Sequence, residues 1–81
     1  MSKYIKIEKK EENLHSVTYQ YSANNCDWGE FVLQKTDLTN IHHVKLAKND
    51  INKKFLFCSF SAIRLDFNIL QSFPEKTYYA A

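Results

Sequence analysis

The stretch from Phe55 to Phe73, FLFCSFSAIRLDFNILQSF, closed by Pro74, constrains this chain more than any other part of it. It is the densest run of large apolar side chains in the chain, with five of its six phenylalanines, so the core forms wherever it packs. On a short window it is ambiguous, because Ile63 to Ile69 alternates apolar and polar residues as a strand would. On a longer window Leu56, Phe60, Ile63, Phe67 and Leu70 share one helical stripe, and Ser61, Arg64, Asn68, Gln71 and Ser72 gather in a sector of roughly 100°. Strands of that length are rare, and proline is a natural helix stop. The spacing therefore predicts a helix over about residues 53–72, with Asn49, Asp50 and Asn52 as candidate N-caps. Burying the five stripe residues contributes about 7–15 kcal/mol before entropy is counted, which decides whether so short a chain folds. A second arc runs through Cys58, Ala62, Leu65 and Ile69, with Asp66 on its far side, between Ala62 and Leu70. The whole apolar sector exceeds about 200°, wider than one sheet covers. Leu65, Ile69 and Asp66 are therefore candidate partner contacts.

Upstream, the pattern has period two. Tyr4 to Glu8 places Ile5 and Ile7 on one face, and Lys9 to Asn13 is a polar break. Val17, Tyr19 and Tyr21 alternate with polar residues, the clearest strand in the chain. Ala23 to Asp27 reads as a turn. Trp28 to Gln34 is a third strand with Phe31 and Leu33 inward. Its Gly29, the single glycine of the chain, signals a bulge or a close backbone approach. Thr36 to Asn40 reads as a loop, and Ile41 to Ala47 as a weaker fourth strand with Val44 and Leu46 inward. The expected fold is α+β: one domain over residues 1–81, an antiparallel four-stranded meander covered on one face by one long C-terminal helix. Thr77 to Ala80 is available as a short C-terminal edge strand.

Composition narrows the function classes. The net charge of +2 is too small to imply nucleic acid, but it is uneven: residues 1–40 carry five Lys against six acids, and residues 41–81 carry six Lys/Arg against three. The excess lies mainly in Lys45, Lys48, Lys53 and Lys54, read either as a solvated connection or as a docking patch for an acidic partner. No apolar run reaches the roughly 20 residues of a membrane span, and the N-terminus lacks the apolar block of a signal peptide. A cytoplasmic location is expected, with Cys26 and Cys58 as thiols. No metal-ligand spacing occurs, and adjacent His42 and His43 point to opposite faces of a strand. Cys58 falls on the apolar side of the helix, Cys26 sits beside Asp27, and no glycine-rich loop is present. The expectation is a protein without enzymatic activity, cofactor or metal. Tyr4, Tyr19, Tyr21 and Trp28 could stack RNA bases, but Tyr19 and Tyr21 share the core face with Val17.

The Trp28-Gly29-Glu30-Phe31 strand and the ending Phe73-Pro74-Glu75-Lys76-Thr77-Tyr78-Tyr79-Ala80, set in a layout of small sheet and one long helix, resemble small bacterial immunity-type proteins associated with polymorphic or contact-dependent toxins. The resemblance covers the layout and about a dozen residues. It implies a protein that binds a cognate toxin and blocks it with no chemistry of its own. Immunity proteins against nucleases are usually acidic and this chain is mildly basic, which implies an acidic or neutral target surface or a target other than a nuclease. The alternatives are a homo-oligomeric module, such as a homodimer, held by the surplus apolar face of the helix, and a nucleic-acid-binding module.

Overall fold

A computed structural model describes residues 4–80 of the chain. Four strands form an antiparallel meander: β1 (Tyr4–Glu12), β2 (Ser16–Ser22), β3 (Gly29–Gln34) and β4 (Asp37–Lys45). A short 3-10 turn (Ile51–Lys53) leads into the helix α1 (Lys54–Leu70), and β5 (Lys76–Ala80) follows. The sheet order is β4-β3-β2-β1-β5. The helix thus carries the chain from one edge of the sheet to the other, and the fold is α+β with the C-terminal strand realised as an edge.

Period-two patterning builds the core. Ile5, Ile7, Val17, Tyr19, Tyr21, Phe31 and Leu33 are all fully buried on one face, and the cross-strand pairs Val17–Leu33 and Tyr19–Phe31 tie neighbouring strands together. The helix lies on this face over β5, β2 and β1. It contributes Leu56, Phe60 and Ile63, with Ala62 and Ser59 filling the close approaches. The expected stripe is correct except at its end: Phe67 is half-buried and Leu70 is 57% exposed, because the last turn projects past the covered area. Three fully covered large side chains correspond to about 5–9 kcal/mol of transfer free energy.

Several boundaries differ from expectation, and each has a backbone cause. β1 continues to Glu12 through a bulge at Lys10, where the register shifts between Lys9 and Glu11. The segment expected as a loop, Thr36 to Asn40, is mostly strand. The turn is only Lys35–Thr36, and three extra residues then bulge between the pairs Gln34–Asp37 and Leu33–Ile41. The Asp37 carboxylate holds that bulge, accepting bonds from the Thr39 amide (3.0 Å) and Asn40 Nδ2 (3.0 Å). Val44 and Leu46 are not inward: they are 42% and 40% exposed. His43 adopts φ 49 and shares the single partner Phe31 with Val44, so alternation fails there, and α1 does not extend over β4.

The start of the helix is built around Asp50. Its Oδ1 accepts the Phe55 amide at 2.8 Å, and its Oδ2 accepts the Leu56 amide at 3.0 Å and the Tyr21 hydroxyl at 2.6 Å. Two of the orphan amides of the first turn are thus satisfied by one carboxylate anchored to the sheet. Asn52 and Lys53 both take left-handed conformations (φ 60) to bring the chain round. Gly29 makes the arrangement possible. A Cβ there would lie 2.5 Å from Cζ and 2.6 Å from Oη of Tyr21, so this is the close approach expected of the lone glycine.

Candidate functional site

The outward side of α1 is the most unusual surface of the molecule. Phe57, Ser61, Leu65 and Ile69 are spaced by four residues and so form one continuous ridge. Phe57, Leu65 and Ile69 are 52%, 60% and 70% exposed, far more than core residues of a helix whose inner side is covered. Of the second arc, Ala62 is buried and Cys58 half-buried, while Leu65 and Ile69 stand one turn apart in solvent. Asp66 lies at the margin, half-buried, and forms no ion pair among the described residues.

The charges around the ridge are mostly positive. Lys48, Lys53, Lys54 and Arg64 are all exposed, and none takes part in an ion pair among the described residues. The Arg64 guanidinium lies 5.4 Å from the centre of the Phe60 ring. Of the three acids of this half, Asp50 is buried and committed to the helix start, Glu75 pairs with Lys9 on β1, and Asp66 is half-buried at the margin of the ridge. Lys45 does not belong to this group. It sits opposite Glu30, on the sheet face away from the helix. The structure therefore unites Leu65, Ile69 and Lys54 on one helix, places Lys53 in the 3-10 turn that leads into it and Lys48 in the connection before that, and separates Lys45 from them.

A second feature was not legible in the sequence. A cleft of about 490 Å³ opens at the C-terminal end of α1, lined by Lys9, Glu12, Lys35, Phe67 and Phe73, with Gln71 and Ser72 at its lip. The bulge at Lys10 creates it: residues three apart on a regular strand face opposite ways, but the extra residue puts Lys9 and Glu12 on the same face. Lys9 Nζ then reaches Glu12 (2.6 Å) and Glu75 (3.2 Å), and Lys35 Nζ reaches Glu12 (2.8 Å). The hydrogen bond to Glu12 raises the Lys9 ammonium above its ordinary value, against some desolvation. Hydrogen bonds from Lys35 and then Lys9 hold the Glu12 carboxyl below its own. The rings of Phe67 and Phe73 stack at 4.6 Å, and Lys35 lies 5.9 Å from the Phe73 ring centre. Two lysines and two glutamates neutralise one another here, so the cleft acts as a clamp on the chain reversal after α1. The Tyr19 hydroxyl adds a bond to the Pro74 carbonyl at 2.8 Å.

The reactive side chains are dispersed. Cys26 is exposed, Cys58 is half-buried, and both are free thiols. His15, His42 and His43 are exposed, and among the described residues no three His, Cys, Asp or Glu side chains converge as a metal site would require. Burial pushes the phenols of Tyr19 and Tyr21 above their ordinary values, aided at Tyr21 by the hydrogen bond to Asp50. Both rings are fully buried and cannot stack on bases, which leaves exposed Tyr4 and half-buried Trp28 of the aromatic set. Among the described residues no helix is long and apolar enough to cross a membrane. Comparison with known proteins supplies no relative: no family model matches the chain, no curated protein matches its sequence, and no solved structure matches its fold.

Proposed function

We propose that this chain is a non-enzymatic protein-binding domain, and that it acts as an immunity-type inhibitor that neutralises a cognate bacterial toxin through the outward side of α1. One observation carries the reading: Phe57, Leu65 and Ile69 form an exposed apolar ridge on the only helix among the described residues, rimmed by cations that no internal acid balances. Apolar anchors in a charged rim are the composition of a protein interface, in which a few large side chains dominate affinity. The rim selects a partner whose facing surface is acidic. That agrees with a target other than a basic nuclease.

The test is coexpression with the product of the adjoining gene, scored for growth rescue and for a one-to-one complex. Replacing Leu65 and Ile69 together by Glu weakens that complex by at least about 100-fold, since apolar anchors at a hot spot cost about 2 kcal/mol or more each. Circular dichroism shows the variant folded, because both side chains are solvent-exposed already. An affinity unmoved by the double substitution sends the binding site elsewhere, and an adjoining product that neither is toxic nor binds removes the inhibitor reading.

A further inference from the structure

Backbone alternation decides which groups of the edge strand β5 are free. Lys9 donates its amide to the Glu75 carbonyl at 2.8 Å. The ladder then continues without a bulge from Glu8 opposite Lys76 to Tyr4 opposite Ala80. Hydrogen-bonded and non-hydrogen-bonded pairs alternate along an antiparallel ladder. The backbone groups of Glu75, Thr77 and Tyr79 therefore point at β1. Those of Lys76, Tyr78 and Ala80 point outward and are unpaired among the described residues. The other edge is not equivalent. β4 breaks register twice and His43 sits at φ 49, so no regular strand can continue along it.

We propose that β5 pairs with β5 of a second copy of this chain, antiparallel, with the two-fold axis at Tyr78. This register sets Tyr78 against Tyr78 and Lys76 against Ala80. Every outward residue then meets an outward residue, and each facing pair exchanges two hydrogen bonds. The edge is compatible with itself in register and in charge, which makes a second copy its occupant. Lys76 is the one charged residue of β5, it faces Ala80 across the two-fold, and it keeps Glu8 of its own chain as its other neighbour, so no like charges oppose. Tyr78 and Tyr4, 58% and 61% exposed, lie on the same uncovered sheet face beside this edge and are partly covered by the second copy. The helix already lies over β5, so the joined sheet keeps its cover. An edge of five residues spans about 17 Å and falls short of the roughly 800 Å² per partner of a standard interface. The pairing is therefore a concentration-dependent one, with Kd between about 10 μM and 1 mM.

Sedimentation velocity on the chain from about 10 μM to 2 mM tests this, with hydrogen exchange read at both ends of the range. The expected result is a monomer–dimer equilibrium in which the amides of Lys76, Tyr78 and Ala80 gain protection as concentration rises. Tyr78→Pro removes only an outward-facing N–H, which an edge strand tolerates, and raises the dimer Kd at least about tenfold. Joint Leu65→Ser and Ile69→Ser substitution leaves the Kd unchanged. A monomer at about 2 mM overturns the proposal. So does a dimer whose three β5 amides stay unprotected, one that survives Tyr78→Pro in a folded chain, or one abolished by the helix substitutions.

Discussion

Replacing Gly29 by Ala is the most informative single perturbation of this fold, because two physical arguments give it opposite signs. Propensity alone favours alanine in a strand by roughly 0.5–1 kcal/mol, since glycine loses more backbone freedom on folding. Packing opposes it. The new methyl would stand 2.5 Å from Cζ and 2.6 Å from Oη of Tyr21, about 1 Å inside ordinary van der Waals contact. Tyr21 is fully buried, and its hydroxyl donates to Asp50 Oδ2 at 2.6 Å while accepting the Ala47 amide at 3.3 Å. A ring pushed back by about 1 Å cannot keep both bonds within hydrogen-bonding range. Overpacking costs about 1–3 kcal/mol and loss of a bond to a charged acceptor about 1.5–3, so Gly29→Ala destabilises by roughly 3–5 kcal/mol. With a urea m-value near 1 kcal/mol/M for so small a chain, the midpoint falls by about 3–5 M. Urea unfolding followed by Trp28 fluorescence measures this directly. Tyr21→Phe, which removes the hydroxyl alone, costs about 1.5–3 kcal/mol. The double variant loses less than the sum, because the bond to Asp50 can be lost only once. A stabilised or neutral Gly29→Ala variant refutes the argument, and so does strict additivity with Tyr21→Phe.

Two further outcomes follow from the clamp at the far end of the helix. Glu12 is held below its ordinary range by hydrogen bonds from Lys35 and Lys9. A depressed carboxylate stabilises the fold above its unfolded pKa and loses that contribution as pH falls through the folded one. Tm therefore drops as pH falls below the ordinary carboxylate value of 4.5, and Glu12→Gln flattens this limb without abolishing it, because Asp37 is also lowered, chiefly by its hydrogen bonds from Thr39. An identical acid limb in the variant removes Glu12 from the account. Gln71 ends α1 in the left-handed region (φ 57) with its amide on the Phe67 carbonyl. Gln71→Gly therefore raises stability by about 0.5–1 kcal/mol in chemical denaturation, and a loss of stability counts against this helix end.

The residues that were legible in the sequence are those whose role follows from periodicity. Val17, Tyr19 and Tyr21 read as one strand face and are all fully buried, because alternation in a sheet covered on one side has one solution. The helix was legible from Leu56, Phe60 and Ile63 for the same reason at a different period. The exposure of Leu65 and Ile69 was legible too, as an apolar arc wider than a single sheet covers. What failed was backbone irregularity without a glycine to announce it. His43 takes a left-handed conformation and Lys10 a bulge, and neither residue type signals that event. Val44 and Leu46 were misplaced by the first, and the Lys9–Glu12–Lys35 clamp was hidden by the second. Asp50 falls between these cases: it is a natural capping residue, but its reach to Phe55 and Leu56 depends on two left-handed residues after it.

These irregular features share a consequence for the exposed ridge. An isolated amphipathic helix of this length is marginal in water, so its orientation must come from tertiary contacts. Here both ends are fixed to the sheet by polar groups. At the start, Asp50 joins the Phe55 and Leu56 amides to Tyr21 on β2. At the end, Phe67 stacks on Phe73, Lys35 covers Phe73, and Tyr19 and Lys9 hold the Pro74 and Glu75 carbonyls. A helix pinned at both ends cannot roll to bury Phe57, Leu65 and Ile69 without breaking one of the pins. Its apolar side therefore stays presented to solvent, and the ordering cost that a free helix would meet on binding is already met in folding. The stabilising residues and the proposed contact residues lie on opposite sides of the same element. If the ridge is the contact surface proposed above, a substitution on it removes binding and leaves the fold intact, while a substitution at Gly29, Tyr21 or Asp50 acts only by loosening the helix that presents it.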